Sequence, residues 1–259
     1  MNIAVCVKQI PDPAVPGSLG ADHTLERSGK LILDDSDAYG VEMSLQLAEK
    51  AGGGEVTLIS MAPNSEVSGL RTALAMGAAK AILVSDPALE GSDALSTAKV
   101  LAKSVERAGD VDLVLTATES TDGYTGTIPA QVAELLDWPA ITFAKHIEVG
   151  DGKAKVQRQT EAGYDVVEAS LPAVVSVTAG VVEPRYPSFK GIMAAKNKPV
   201  DNVTAADLGL DASQVGWAGA RQEITNVAQA PAREAGEKFE DDGTGAEKVV
   251  AFLEQLKVV

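Results

Sequence analysis

A single cysteine, Cys6, in 259 residues excludes an internal disulfide and any cluster of thiolate metal ligands. Histidine is nearly as scarce. His23 falls in a turn-rich stretch and His146 in a strand-like run, which predicts a solvated loop imidazole and a sheet-surface imidazole rather than a catalytic pair. Aromatic residues are only 4% of the chain, so the core has to be built from Ala, Val, Leu and Ile within an ordinary hydrophobic fraction of 45%. No block of Lys or Arg is long enough to track a phosphate backbone and the net charge is −15, which argues against nucleic acid and for solubility. No segment approaches the roughly 18 uncharged apolar residues of a membrane helix. The start, MNIAVCVKQIPDP, lacks the roughly 7–15-residue apolar run and positive flank of a secretory signal, so a cytoplasmic chain is expected. Also missing are GxSxG, a Walker loop, HExxH and a GxGxxG fingerprint. A hydrolase or a nicotinamide dehydrogenase would have no machinery here; no catalytic residue and no metal ligand is expected.

What the chain does have is a cadence. NIAVCVK reads as a short buried strand stopped by proline, and LILDD as a brief extended piece. From Ser36 the pattern is helical, with Val41, Leu45 and Ala48 on one face, until the glycines at 52–54 close it. EVTLISM, AKAILVS and VDLVLTA read as further strands. Between them lie helices with Val67, Leu70 and Leu74 on one face and, after an expected N-cap at Ser92, with Leu95, Ala98, Ala102 and Val105. Thr127 is placed to cap another helix, with Pro129 in its first turn. Strands apolar on both faces, alternating with helices, predict an α/β, Rossmann-like parallel sheet with helices on both faces. After Trp138 the cadence changes. ITFAKHIEVG, KAKVQRQT, YDVVEAS and PAVVSVT follow one another without a helix, and hairpin turns are expected at Gly150–Gly152 and Glu161–Gly163, so an antiparallel meander is added. From about Asn197 the chain turns polar and acidic through EAGEKFEDDG. It ends in AEKVVAFLEQL, whose Val249, Phe252 and Leu256 form an apolar stripe. So short a helix is marginal alone. Two domains are expected: a nucleotide-binding body at 1–195 and, at 196–259, an extended C-terminal arm that wraps a neighbour.

In open parallel sheets ligands sit beyond the carboxyl ends of the strands. Four segments should meet there: Cys6-Val7-Lys8 with Gln9, Asp34–Asp37, Met61-Ala62-Pro63, and TESTDGYTGT at 118–127. The last offers the hydroxyls of Ser120, Thr121, Thr125 and Thr127, close backbone approach at Gly123 and Gly126, and free amides at a helix start, a combination suited to phosphate. A plain Thr/Gly-rich loop with an N-cap would look the same. Asp122 suits direct phosphate contact poorly and is better placed to orient the loop.

One stretch is more specific than these. EPRYPSFKGIMAAKNKP, at 183–199, resembles the signature run of electron-transfer flavoprotein beta subunits. The VKQIPDP start, ALAMGAAKA, DLVLTATESTDG, LDWP and LPAVVSVTAGVVEPR follow the same family in the same order, through about Lys198 and more loosely beyond. The resemblance implies a heterodimer in which an alpha subunit holds most of a redox-active FAD. The small subunit buries a structural AMP and wraps its partner with its C-terminal arm. Donors would be dehydrogenases such as those acting on acyl-CoA in fatty acid beta-oxidation, and the acceptor a membrane quinone oxidoreductase. Such a chain is an electron carrier rather than an enzyme. The positions matching the nucleotide contacts are Cys6, Asp34, Asp35, Ser36, Asp37 and Met61. They continue through Asp122, Gly123, Tyr124, Thr125, Gly126 and Thr127 to Ile128, Pro129, Ala130, Gln131, Val132 and Ala133. Many relatives have Asn where this chain has Asp34, which puts that contact in doubt. Phe189, with Tyr186 beside it, matches the apolar anchor that docks donors, and Arg185 would reach toward the partner's flavin. A bifurcating branch of the family holds a second FAD in place of AMP behind a DGDTAQVGPQ-like loop. Here that loop reads DGYTGTIPAQ, nearer the AMP-binding kind. The remaining alternatives are a stand-alone nucleotide-binding module resembling universal stress proteins, and a scaffold with an empty pocket.

Overall fold

The structure is a computed structural model that describes residues 1–62, 64–232, 236, 238 and 240–259. Pro63, expected at a strand end, lies outside the described residues, as do Glu234, Ala235, Glu237 and Phe239 of the acidic stretch.

Every side chain of β1 (Ile3–Cys6) is buried, which requires cover on both faces. Its alternation divides the core. Ile3 and Val5 pack with α1 (Asp35–Lys50) and α2 (Ser68–Met76), whereas Ala4 and Cys6 pack with α3 (Ala94–Ala108) and α4 (Ile128–Leu136). β1 pairs with β4 (Val56–Met61) on one side and with β6 (Leu113–Ala117) on the other, both parallel, and β5 (Lys80–Val84) continues the sheet beyond β4. Next to β6 lies β10 (Ala173–Val177), then β7 (Ala140–Gly150), both parallel. The antiparallel β8 (Lys153–Thr160) and β9 (Gly163–Ser170) complete that edge. The opposite edge is β11 (Val200–Val203), parallel to β5, so the nine strands run β11-β5-β4-β1-β6-β10-β7-β8-β9. A separate two-stranded antiparallel sheet joins β2 (Gln9–Pro11) to β3 (Leu31–Leu33). The chain is thus the expected Rossmann-like α/β fold with added antiparallel strands.

Three local readings change. PAVVSVT is not the last strand of a meander. As β10 it is inserted between β6 and β7, and its five residues are all buried, as a central position demands. The cap of α3 is Asp93, which accepts from Ser96 N at 2.8 Å, rather than Ser92; the Ser92 hydroxyl donates to Leu89 O instead. Thr127 does precede α4, but its side chain makes no capping bond.

By packing, the chain divides into Met1–Ile224 and Thr225–Val259. The stretch after 195, read as part of an arm, begins in the first unit. β11 joins the sheet, and Leu208, Leu210 and Val215 are buried with Ile82, Val84 and Leu89. Its short apolar steps are too sparse to register as a strand or helix pattern, yet each finds a pocket. In the same unit, α5 (Phe189–Ala195) lies against α2, and the four-residue α6 (Gly216–Gly219) follows the last buried valine. The second unit carries α7 (Gly245–Gln255), which leaves Val249, Phe252 and Leu256 half exposed.

Candidate functional site

β1 and β6 are neighbours whose connections leave in opposite directions, through α1 toward β4 and through α4 toward the other half of the sheet. This is the switch point at which an α/β sheet opens a crevice. A cavity of about 310 Å³ lies there. Cys6, Val7 and Lys8 reach it from the end of β1, Thr116, Ala117 and Thr118 from β6, and Met61 from β4. The start of α3 adds Ser92, Asp93, Ala94 and Thr97, with Leu101 further along; Ile128 and Pro129 begin α4. The rim is completed by Arg27, Asp37, Glu119, Ser120, Thr125 and Gly126.

The polar framework behind this cavity is closely tied. Asp34, wholly buried, caps α1 by accepting from Ser36 N at 3.0 Å with one oxygen. Its other oxygen accepts from Thr121 N at 2.7 Å and from the Thr121 hydroxyl at 3.1 Å, so one carboxylate fixes the 118–127 loop to the helix start. Asp37 accepts from Lys8 N at 2.6 Å, and burial pushes its carboxyl well above the usual range despite that bond. Burial, with Asp37 nearby, also pushes the Cys6 thiol up to about 12. Asp122 lies between two cations. Lys8 Nζ is 2.6 Å from one oxygen and Arg27 pairs with the other, while Lys8 Nζ also donates to Ser120 Oγ at 3.2 Å. Burial disfavours the charged Asp122, but the two cations outweigh it and hold its pKa below the ordinary value. Gly126 has φ +67°, a conformation that a side chain would strain.

Of the residues proposed from the sequence, Cys6, Val7, Lys8, Asp37, Met61, Thr118, Glu119, Ser120, Thr125, Gly126, Ile128 and Pro129 line the cavity. Asp34 and Asp122 stand behind it as framework. Asp35 and Ser36 occupy the first turn of α1, and Gly123, Tyr124 and Thr127 belong to the loop without lining the cavity. Ala130 and Gln131 sit on α4 away from the lining, and Val132 and Ala133 are core, packed on the α3 side of the sheet. Sequence reasoning missed Arg27, the Ser92–Thr97 wall and, at the end of β6, Thr116 and Ala117. The strand-end rule, extended to the loop after β5, points to Ser92. Arg27 lies in a stretch with no periodicity to flag it.

A second region is built in the opposite way. Ser188 caps α5 by accepting from Gly191 N at 3.0 Å, so the helix begins with Phe189, which is 82% exposed; Tyr186 is 92% exposed. The backbone beneath them is pinned. Arg185 meets Glu42 of α1 with two parallel bonds, Nε to Oε2 at 2.7 Å and Nη2 to Oε1 at 3.1 Å, and reaches Glu49 at 2.9 Å. Burial favours the neutral form of Glu42, but the Arg185 and Gln46 hydrogen bonds prevail and its pKa is lowered. Downstream of α5, Arg71 donates to the carbonyls of Ala195 and Lys198, and Lys198 Nζ to those of Leu74 and Ala78. Arg185 thus gives three of its five donors to α1, and Phe189 stays off this chain's core.

Among the described residues no helix is long and apolar enough to cross a membrane, and no group of three or more His, Cys, Asp or Glu could hold a metal ion. Residues 22–208 match the family model described as electron transfer flavoprotein domain. The chain is 39% identical over 264 residues to the electron transfer flavoprotein subunit beta of Mycobacterium leprae, covering 100% of this chain and 99% of that protein. It is 36% identical to the Megasphaera elsdenii protein of the same description, with 100% of both chains covered. To the caffeyl-CoA reductase-Etf complex subunit CarD of Acetobacterium woodii it is 34% identical, covering 98% of this chain and 96% of CarD.

Proposed function

Because this chain belongs to the electron transfer flavoprotein family, as one of its beta subunits, we propose that it holds a structural AMP while an alpha subunit carries most of the redox-active FAD. The alpha partner and the flavin of the assembled complex follow from the family. The cavity is the observation that carries the AMP reading. It lies at the switch point, one part is apolar through Met61, Leu101, Ile128 and Pro129, and among the described residues the cations lining it are Lys8 and Arg27. A volume of about 310 Å³ is within the range of ligand sites and gives room for a mononucleotide. These residues fit the group; the nucleotide supplies no chemistry of its own in this reading and acts as a wedge that orders the strand ends.

Electrons enter from dehydrogenases such as those acting on acyl-CoA and leave toward a membrane quinone oxidoreductase, in the cytoplasm. Phe189 is the anchor for the donor and Tyr186 its neighbour at the rim. Exposed aromatic residues on a fixed backbone lose little freedom on docking. Arg185 holds the 181–188 segment on α1 and has donors left to reach toward the partner's flavin. The C-terminal arm engages the alpha subunit through its part beyond residue 224, with the α7 stripe of Val249, Phe252 and Leu256 as its apolar contact. The likeness to CarD, a subunit of a caffeyl-CoA reductase-Etf complex, supports a second reading, in which this chain works in a complex with a reductase of CoA esters. FAD in place of AMP and electron bifurcation would be the form of it that the sequence resemblance offers.

Co-expression with an alpha chain tests the function. The expected product is a 1:1 heterodimer whose flavin is reduced by an acyl-CoA dehydrogenase and reoxidised by a quinone oxidoreductase. A chain that purifies alone and never acquires a flavin-bearing partner would refute it.

A further inference from the structure

This inference rests on the reading of the cavity as a nucleotide site and assigns that site's charge recognition. Lys8 and Arg27 come from different parts of the chain, the end of β1 and the loop before β3, and meet on one carboxylate, Asp122. The Asp122 side chain is 7% exposed, against 38% for Lys8 and 23% for Arg27, so the cations rather than the carboxylate face the open space. Two positive groups sharing one negative group leave a surplus positive charge. Donors also remain. The ammonium has three hydrogens and gives one each to Asp122 and Ser120, and the guanidinium has five and contacts Asp122 and, at 3.3 Å, Gln9 O.

The other charged groups lining the cavity are acids with different surroundings. Both oxygens of Asp93 are taken by the amides of Ser96 and Arg221, at 2.8 and 2.7 Å. Asp37 is held to Lys8 N, and Glu119 carries a negative charge that repels an anion. Met61, Ala94, Leu101, Ile128 and Pro129 are apolar. A ligand with a flat apolar ring and an anionic end therefore has one favourable orientation.

We propose that Lys8 and Arg27 are the phosphate-binding pair of this cavity, kept in position by Asp122, and that they make it selective for nucleoside phosphates over bare nucleosides. A phosphomonoester brings about −1.5 to −2 charges and three acceptor oxygens, enough to use the unfilled donors of both cations. Asp122 orients the pair, and the ligand's phosphate takes the remaining hydrogens.

Calorimetric titration of the nucleotide-stripped heterodimer with AMP and with adenosine tests this. The wild-type protein should bind AMP tighter than adenosine by roughly tenfold or more, with only the AMP affinity falling as salt is added. Arg27→Gln and Lys8→Gln should each weaken AMP roughly tenfold and leave adenosine within about twofold, and Arg27→Lys should recover part of the loss. Equal losses for both ligands would make the pair merely structural, and unchanged AMP affinity in both variants would remove it from recognition. If the wild-type protein bound neither compound, the nucleotide reading itself would fall and this assignment with it.

Discussion

The cavity at the strand ends and the face at Tyr186 and Phe189 are two answers to the same problem, how to fix a functional group in place. At the cavity, carboxylates are buried and committed: Asp34 to Thr121 and Ser36, Asp37 to Lys8, Asp122 to Lys8 and Arg27. Polar groups there hold the walls, and the enclosed space is left for a ligand. At the other face the polar work lies underneath, in Arg185 on Glu42 and Lys198 on the end of α2, and what is presented outward is aromatic. An enclosed site ordered by charge suits a molecule that stays; an open aromatic ring on a pinned backbone suits a partner that comes and goes. The comparison predicts that damage to either region should spare the other.

The largest effect is expected at Gly126. Its φ of +67° and its place on the cavity rim mean that Gly126→Val adds both strain and bulk. AMP affinity should fall roughly a hundredfold, while the Tyr186–Phe189 face keeps its donor contacts; unchanged AMP content in the purified heterodimer would count against the loop. Next comes Phe189→Ala, which should lower kcat/KM for reduction by a donor dehydrogenase roughly thirtyfold, the truncation cost of a docking anchor. Nucleotide content and melting temperature should stay as in the wild type, and equal rates would remove the anchor.

Arg185→Gln should act on stability. With Arg185 36% exposed, the pair is discounted to about 1–2 kcal/mol at neutral pH. The sign with pH is fixed by Glu42. Its pKa is lowered in the folded state, so the pair stabilises above the ordinary carboxylate value of about 4.3, and that stability is lost as pH falls below it. Urea titrations of wild type and variant should converge as pH falls below the ordinary carboxylate value of about 4.3, and a constant gap would mean that Arg185 acts through packing alone. The smallest effect belongs to Cys6. A buried thiol raised to about 12 should resist alkylation near neutral pH in the native protein and react only on unfolding. Rapid native labelling would show that the cavity floor is open.

Much of the fold could be read because its signals are local. IAVC, VTLISM and LVLTA are apolar runs of strand length, separated by 3.6-period stretches and closed by glycine. The position of AVVSV could not be read that way. A short apolar run after a hairpin is compatible with the end of a meander or with the middle of a sheet, and only pairing with β6 and β7 decides. The stretch from Val200 to Val215 was similarly opaque, since its contacts with Leu89 and Val84 are tertiary and leave no periodicity. In the cavity the sequence indicated strand ends and the 118–127 loop. It did not indicate Arg27, because an ion pair with Asp122, 95 residues away, has no local trace. Phe189 stands out for a different reason: it sits inside a motif long enough to be specific, and its 82% exposure shows that the ring does not fold back onto this chain's core.

The account depends most on what occupies the cavity at the end of β1 and β6. Acid release of bound nucleotides from the purified heterodimer, separated and quantified against protein, measures it directly. One AMP and one FAD per dimer is the predicted result. Two FAD and no AMP would hand the cavity to a second flavin, and a dimer with FAD alone would contradict the claim that these strand ends are built around a nucleotide.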